Sequence, residues 1–162
     1  MSAEWDSMLT RLCFATLAGA VLRWERSRQN RAIMGFRTLT LVALASCIAV
    51  QAIVHSGLPQ VNADAAGRVV QGVLSGVGFI GAGALLHGAG DGQVHGLATA
   101  ASIWVSAAIG AAAALAVWPL LIGGAALALF VLLIGAPIER TIRDSARDSA
   151  GEQDRRDMTD RP

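Results

Sequence analysis

A chain of 162 residues that is 54% hydrophobic, with a mean hydropathy of +0.51, is too apolar for an ordinary water-soluble domain and fits a small polytopic membrane protein. All 13 basic residues are arginine, which excludes a Walker-type phosphate loop because that loop needs its lysine. The net charge of +1, without a basic patch, speaks against nucleic acid as a partner.

The N-terminal MSAEWDSM is acidic and does not have the pattern of a cleavable signal peptide. The first apolar stretch, Met8 to Leu22, is short and interrupted by Arg11, which is expected to snorkel toward one interface. Ala15 and Gly19 give it a small face for packing. An arginine-rich segment, Arg23 to Arg37, leads into a second span, Gly35 to Val54. Cys13 and Cys47 fall inside these spans and are read as small apolar fillers, not as a disulfide. The polar link from His55 to Arg68 has Pro59 and Asp64 as turn formers.

The stretch Val69 to Leu86, VVQGVLSGVGFIGAGALL, carries five glycines and no charge over 18 residues, enough to cross the hydrocarbon core as a helix. Glycine in a membrane helix lets a neighbouring backbone come close, so this helix is expected in the middle of a bundle. Its letters Gly76-Val-Gly78-Phe-Ile-Gly81 also spell a dinucleotide-binding turn. That turn needs a preceding strand and an acid about 20 residues on. Here the glycines lie inside one apolar run, and the next acid, Asp91, is ten residues past Gly81.

His87 to Gly96 reads as a glycine-rich turn. A fourth span, Leu97 to about Val117, repeats Thr99, Ser102, Ser106 and Gly110 at helical spacing, giving a small hydroxylated face. Its hydroxyls are expected to bond to carbonyls one turn back. Trp118-Pro119 marks a tight break, with Trp118 as an interface anchor. A fifth span runs from Leu120 to Ile138. The remainder, Glu139 to Pro162, has six arginines and seven acids and is expected to be a disordered tail. The fold class is therefore all-α: a polytopic membrane helical bundle of about five transmembrane helices in residues 1–138, followed by the polar tail.

With five spans, Arg23, Arg26, Arg28, Arg31 and Arg37 lie on the same side as Arg140, Arg143 and Arg147, against Arg11 and Arg68 on the other. The positive-inside rule then puts the N-terminus outside and the tail in the cytoplasm.

Few residues carry chemistry. Glu25, Arg26 and Arg37 stand at the cytoplasmic ends of the first two spans, where Glu25 is placed to pair with either arginine. His87, Asp91 and His95 are four apart, a ligand spacing on a helix, but Gly88, Gly90, Gly92 and Gly96 argue for a turn and against a metal site. His55 is read as solvated. Trp104, near the middle of the fourth span, is read as a bundle filler, with an aromatic gate or partner contact as the functional alternative. No acid or arginine lies at the midplane of spans two to five, which counts against a proton relay or ion-coupled carrier. Ser75, Ser102 and Ser106 have no His or acid nearby in sequence to activate them.

Arg23-Trp-Glu25-Arg26 followed by Gly35-Phe-Arg37-Thr38-Leu-Thr-Leu-Val42 resembles the first-loop signature of the MgtC/SapB family of bacterial inner-membrane proteins. Ser75 to Gly83 resembles that family's glycine-rich third span, and Gly96 to Gly110 its fourth. The resemblance keeps the order and spacing of all three blocks over about residues 8 to 135. It departs from the family in having Ala98 where a threonine is usual, and Ala111 to Ala114 in place of a glycine pair. It covers the membrane part only, the tail being far shorter than the cytoplasmic domain that such proteins can carry.

What the resemblance implies is a non-enzymatic regulator in the bacterial inner membrane, linked to magnesium limitation and in some pathogens to virulence. It implies contacts with a membrane-protein partner such as the proton-translocating ATP synthase; docking of the small-residue faces on a second copy is a further expectation from the residues themselves, and no cofactor is expected. By similarity Glu25, Arg26, Gly35, Arg37, Thr38, Gly76, Gly78, Gly81, Gly83, Thr99 and Trp104 are the helix-packing or partner-binding positions. The rival expectation is a small oligomeric cation transporter or channel.

Overall fold

A computed structural model describes residues 2–28, 37–56, 63–86 and 96–135. Among them are five α-helices and no strand: α1 (Ser2–Arg28), α2 (Arg37–Val54), α3 (Ala63–Leu86), α4 (Leu97–Ala114) and α5 (Trp118–Gly135). The last four are long and apolar enough to cross a membrane. The 27-residue α1 is long enough, but its apolar centre is flanked by charged turns. The chain divides into two compact units, Met1–Leu129 and Phe130–Pro162; of the second, only 130–135 are described.

Helix ends follow local chemistry. Asp64 is not a turn residue: it stands in the first turn of α3, where a carboxylate complements the positive end of the helix dipole. Helix α3 therefore starts six residues before Val69. Helix α4 stops at Ala114, three residues short of Val117, because the connection turns through Ala116 at a left-handed φ of 55°. Pro119 follows in the first turn of α5, where its missing N–H costs no hydrogen bond.

Neighbouring helices alternate in direction. Met8 lies beside Gln51 and Gly19 beside Thr40, so α1 and α2 are antiparallel. Gly81 lies beside Ala100 and Gly96 beside Ala84, which makes α3 and α4 antiparallel. Helices α2 and α4 run parallel, with Leu39 against Ser106 and Ala43 against Gly110.

The middle of the bundle is α4, not the glycine-rich α3. In the membrane-length windows, 61% of α4 is buried, against 33% of α2 and 17% of α3. The core comprises Ala15, Leu22, Ala43, Cys47, Val50, Ile103 and Ala107 with the run Ala111–Ala114. Helix α4 reaches the centre because alanine, serine and glycine make it thin, so that α1, α2 and α3 can all lie against it.

Gly96 seals the entry to α4. It takes φ 92°, and a Cβ there would stand 2.7 Å from the Ala84 carbonyl oxygen. Gly96→Ala is expected to lose about 2–4 kcal/mol, combining left-handed strain with overpacking. Thermal melting in detergent reads it, and a melting temperature within error of the parent would refute the seal.

Candidate functional site

Two features are built by side chains from several helices. The first is the seam between α2 and α4. Gly110 lets the α4 backbone rest on Ala43 of α2: an added Cβ would fall inside the van der Waals envelope of the Ala43 carbonyl group. Two serines lock the seam. Ser46 Oγ donates to Ala107 O at 2.7 Å, and Ser106 Oγ donates to Leu39 O at 2.6 Å. Ser102 Oγ donates one turn back to Ala98 O at 2.6 Å, as expected of a membrane hydroxyl, whereas Ser106 crosses to the neighbouring helix. These three hydroxyls are committed as donors to carbonyls, so none is an activated nucleophile.

The second feature is a polar knot where α1 begins and α2 and α4 end. Arg11 finds its partner at the end of a neighbouring helix. Its Nη1 donates to Ala114 O, the last carbonyl of α4, at 2.6 Å. A cation there complements the negative end of the α4 dipole and satisfies a buried carbonyl. Gln51, 6% exposed, points its Nε2 at Cys47 Sγ (3.3 Å) and at Met8 O (3.5 Å). Its Oε1 and the hydroxyl of Thr40 are buried without a hydrogen-bond partner among the described residues. Phe14 of α1 meets Trp118 of α5 edge to face at 5.1 Å, so this tryptophan, placed as an interface anchor, also fixes the start of α5. His55 is exposed, in accord with the sequence reading.

The positions named from the sequence are scattered over the bundle. Glu25 and Arg26 fall in the final turns of α1 with side chains outside the described residues, and Gly35 lies outside them altogether. Arg37 opens α2 and is exposed; Thr38 beside it is half-buried. Gly81 is buried against Ala100, whose Cβ would be 3.5 Å from an added Cβ. An added Cβ on Gly76, Gly78 or Gly83 meets nothing within 4 Å, so these glycines face outward from the chain. Thr99 is buried. Trp104 is 48% exposed, not a bundle filler: thin α4 buries its serine and alanine faces and turns the one bulky ring outward. Cys47 fills the core and Cys13 faces outward; neither is in a disulfide. His87, Asp91 and His95 lie outside the described residues. Among those described, no three His, Cys, Asp or Glu side chains converge to hold a metal.

Gln51 and the partner of Arg11 are absent from the sequence reading. A lone amide in an apolar run carries no pattern, and Ala114 is 103 residues from Arg11. The signal available was the cost of both groups inside a span, which demands a partner for each.

A bundle of membrane-length helices, seamed by small residues and hydroxyls, defines a helical membrane protein without a visible catalytic centre among the described residues. The model of the MgtC family matches residues 12–141, and the chain belongs to that family. It is 43% identical to protein SrpB of Synechococcus elongatus over 131 residues, covering 74% of this chain and 70% of that protein. It is 36% identical to protein SapB of Bacillus subtilis over 65% of this chain and 46% of SapB. It is also 36% identical to protein MgtC of Salmonella typhimurium, over 61% of this chain and 39% of MgtC. The chain thus spans less than half the length of the latter two. No solved structure matches it.

Proposed function

We propose that the chain is a non-enzymatic regulator of the bacterial inner membrane, acting through contacts with a partner membrane protein under magnesium limitation. The observation that carries this reading is the closed interior. Where a conducting path would run, α2 and α4 touch backbone to backbone at Ala43 and Gly110. In support, after Arg37 in α2, after Arg68 in α3, and throughout α4 and α5, no acidic or basic residue occurs to relay a proton or bind a cation in the span. The outward ring of Trp104 and the exposed apolar side chains Leu120, Ile122 and Leu127 of α5 offer surface for a helix-to-helix contact. The magnesium link and the ATP synthase as partner come from the family resemblance. In this reading the N-terminus is outside and the tail cytoplasmic, following the arginine distribution.

The test uses purified protein in liposomes beside a deletion strain grown at limiting and ample magnesium. Flux of Mg²⁺ or protons equal to that of empty vesicles is expected, with a growth defect confined to limiting magnesium. Gradient-driven flux would instead establish the transporter.

A further inference from the structure

The polar knot leaves one of its own atoms over. Gln51 is 6% exposed, yet its Oε1 has no hydrogen-bond partner among the described residues. An acceptor buried unpaired costs about 1–3 kcal/mol, and buried polar groups are as a rule met by protein or by ordered water. The Nε2 end is only loosely held. Its 3.5 Å to Met8 O is longer than an ordinary N–H···O bond, and its other contact, at 3.3 Å, is to the sulfur of Cys47, a weak acceptor. Turning the amide end for end exchanges the two atoms and still leaves one of them over.

Donors stand close by. Arg11 follows Met8 by one turn of α1, and its guanidinium is near enough to Cys47 for its charge to act at the thiol. Its Nη1 is committed to Ala114 O, and it makes no other hydrogen bond among the described residues. A guanidinium has N–H groups to spare after one such bond. Bulk solvent does not reach the meeting point, since Cys47 is fully buried and Gln51 Oε1 is closed off.

We propose that one water molecule is bound here, held between the Gln51 amide and the spare N–H groups of Arg11. It donates one hydrogen to Gln51 Oε1 and accepts from the guanidinium. Its second hydrogen is directed to the Met8 carbonyl, which has a lone pair beyond the one its helix uses. That makes about three partners, the usual number for a buried water. The chemistry favours water over an ion. The guanidinium repels a cation, while an anion would face the oxygens of Gln51 and Met8. The water completes one chain of hydrogen bonds from Ala114 of α4 through Arg11 of α1 to Gln51 and Cys47 of α2. The proposal goes beyond the regulatory reading and does not depend on it.

The experiment exposes the full chain in detergent to short X-ray pulses and reads oxidation by mass spectrometry of its peptides. Radiolysis turns a bound water into a hydroxyl radical on the spot, and a thiol beside it is oxidised first. Val77→Cys on α3 puts a control thiol in the same molecule. Val77 is 7% exposed and Cys47 0%, so access from bulk solvent alone would favour the control. Cys47 is instead expected to oxidise about fivefold faster than the control thiol. Gln51→Leu is expected to bring Cys47 down to the control rate, because it removes the acceptor that orders the water. The proposal is overturned if Cys47 in the otherwise unchanged chain oxidises no faster than the control, or if Gln51→Leu leaves its rate as it was. The first comparison needs no change at position 51, so it decides the matter even if Gln51→Leu does not fold.

Discussion

Gly110→Ala is expected to destabilise the folded protein by about 3 kcal/mol, a large effect for one methyl group. The site has no slack. The new Cβ lands on the backbone of Ala43, and a backbone cannot rotate aside as a side chain can. Relief requires α2 and α4 to separate, which stretches the Ser46–Ala107 and Ser106–Leu39 hydrogen bonds on either side of the contact. Interhelical bonds of this kind contribute on average about 0.6 kcal/mol each, so most of the loss comes from packing. Gly72→Ala is the matched control. It adds the same methyl where nothing lies within 4 Å, and its expected effect is within about 0.5 kcal/mol. Unfolding of the detergent-solubilised protein by denaturant reads both. Equal midpoints for the two variants would show that the α2–α4 contact is not tight.

Arg11→Met should cost about 2–3 kcal/mol. Ala114 is fully buried, and the side chain that satisfies its carbonyl comes from α1. Removing the guanidinium leaves that oxygen unpaired, a penalty of about 1–3 kcal/mol, and strips a cation from the negative end of α4. Methionine keeps much of the stem's apolar volume, so the measured loss reports the charge and hydrogen bond more than packing. Arg11→Lys restores the charge without the planar fork and is expected to recover about half the loss. If Arg11→Met melts with the parent, or if Lys rescues nothing, Arg11 is not the cap of α4.

The helices were legible because charge-free apolar runs of membrane length have few alternatives, and α2, α3, α4 and α5 all follow from them. The small face of α4 was legible too: Thr99, Ser102, Ser106 and Gly110 recur at helical spacing and all four are buried. What glycine could not reveal was direction. A residue without a side chain reads the same whether it faces a neighbour in its own chain or the world beyond it. Gly19 and Gly110 do the close packing within the chain, while Gly72, Gly76, Gly78 and Gly83 stand open, and nothing local to α3 distinguishes them. Trp104 misled for a related reason. Bulk normally implies the interior, but α4 achieves its central place by being slender, and its single large ring has no room there. The partner of Arg11 could not be read because it is a backbone oxygen at a helix end, visible only once α1 and α4 are side by side.

The Arg11 bond also sets an order of events during synthesis. Its acceptor is made 103 residues later, an interval of about 5–20 s at ordinary translation speed. Throughout that time α1 holds a cation inside the bundle's future outline with no oxygen to receive it. Helix α1 can lie against α2 well before then, but the clasp closes only when the end of α4 emerges.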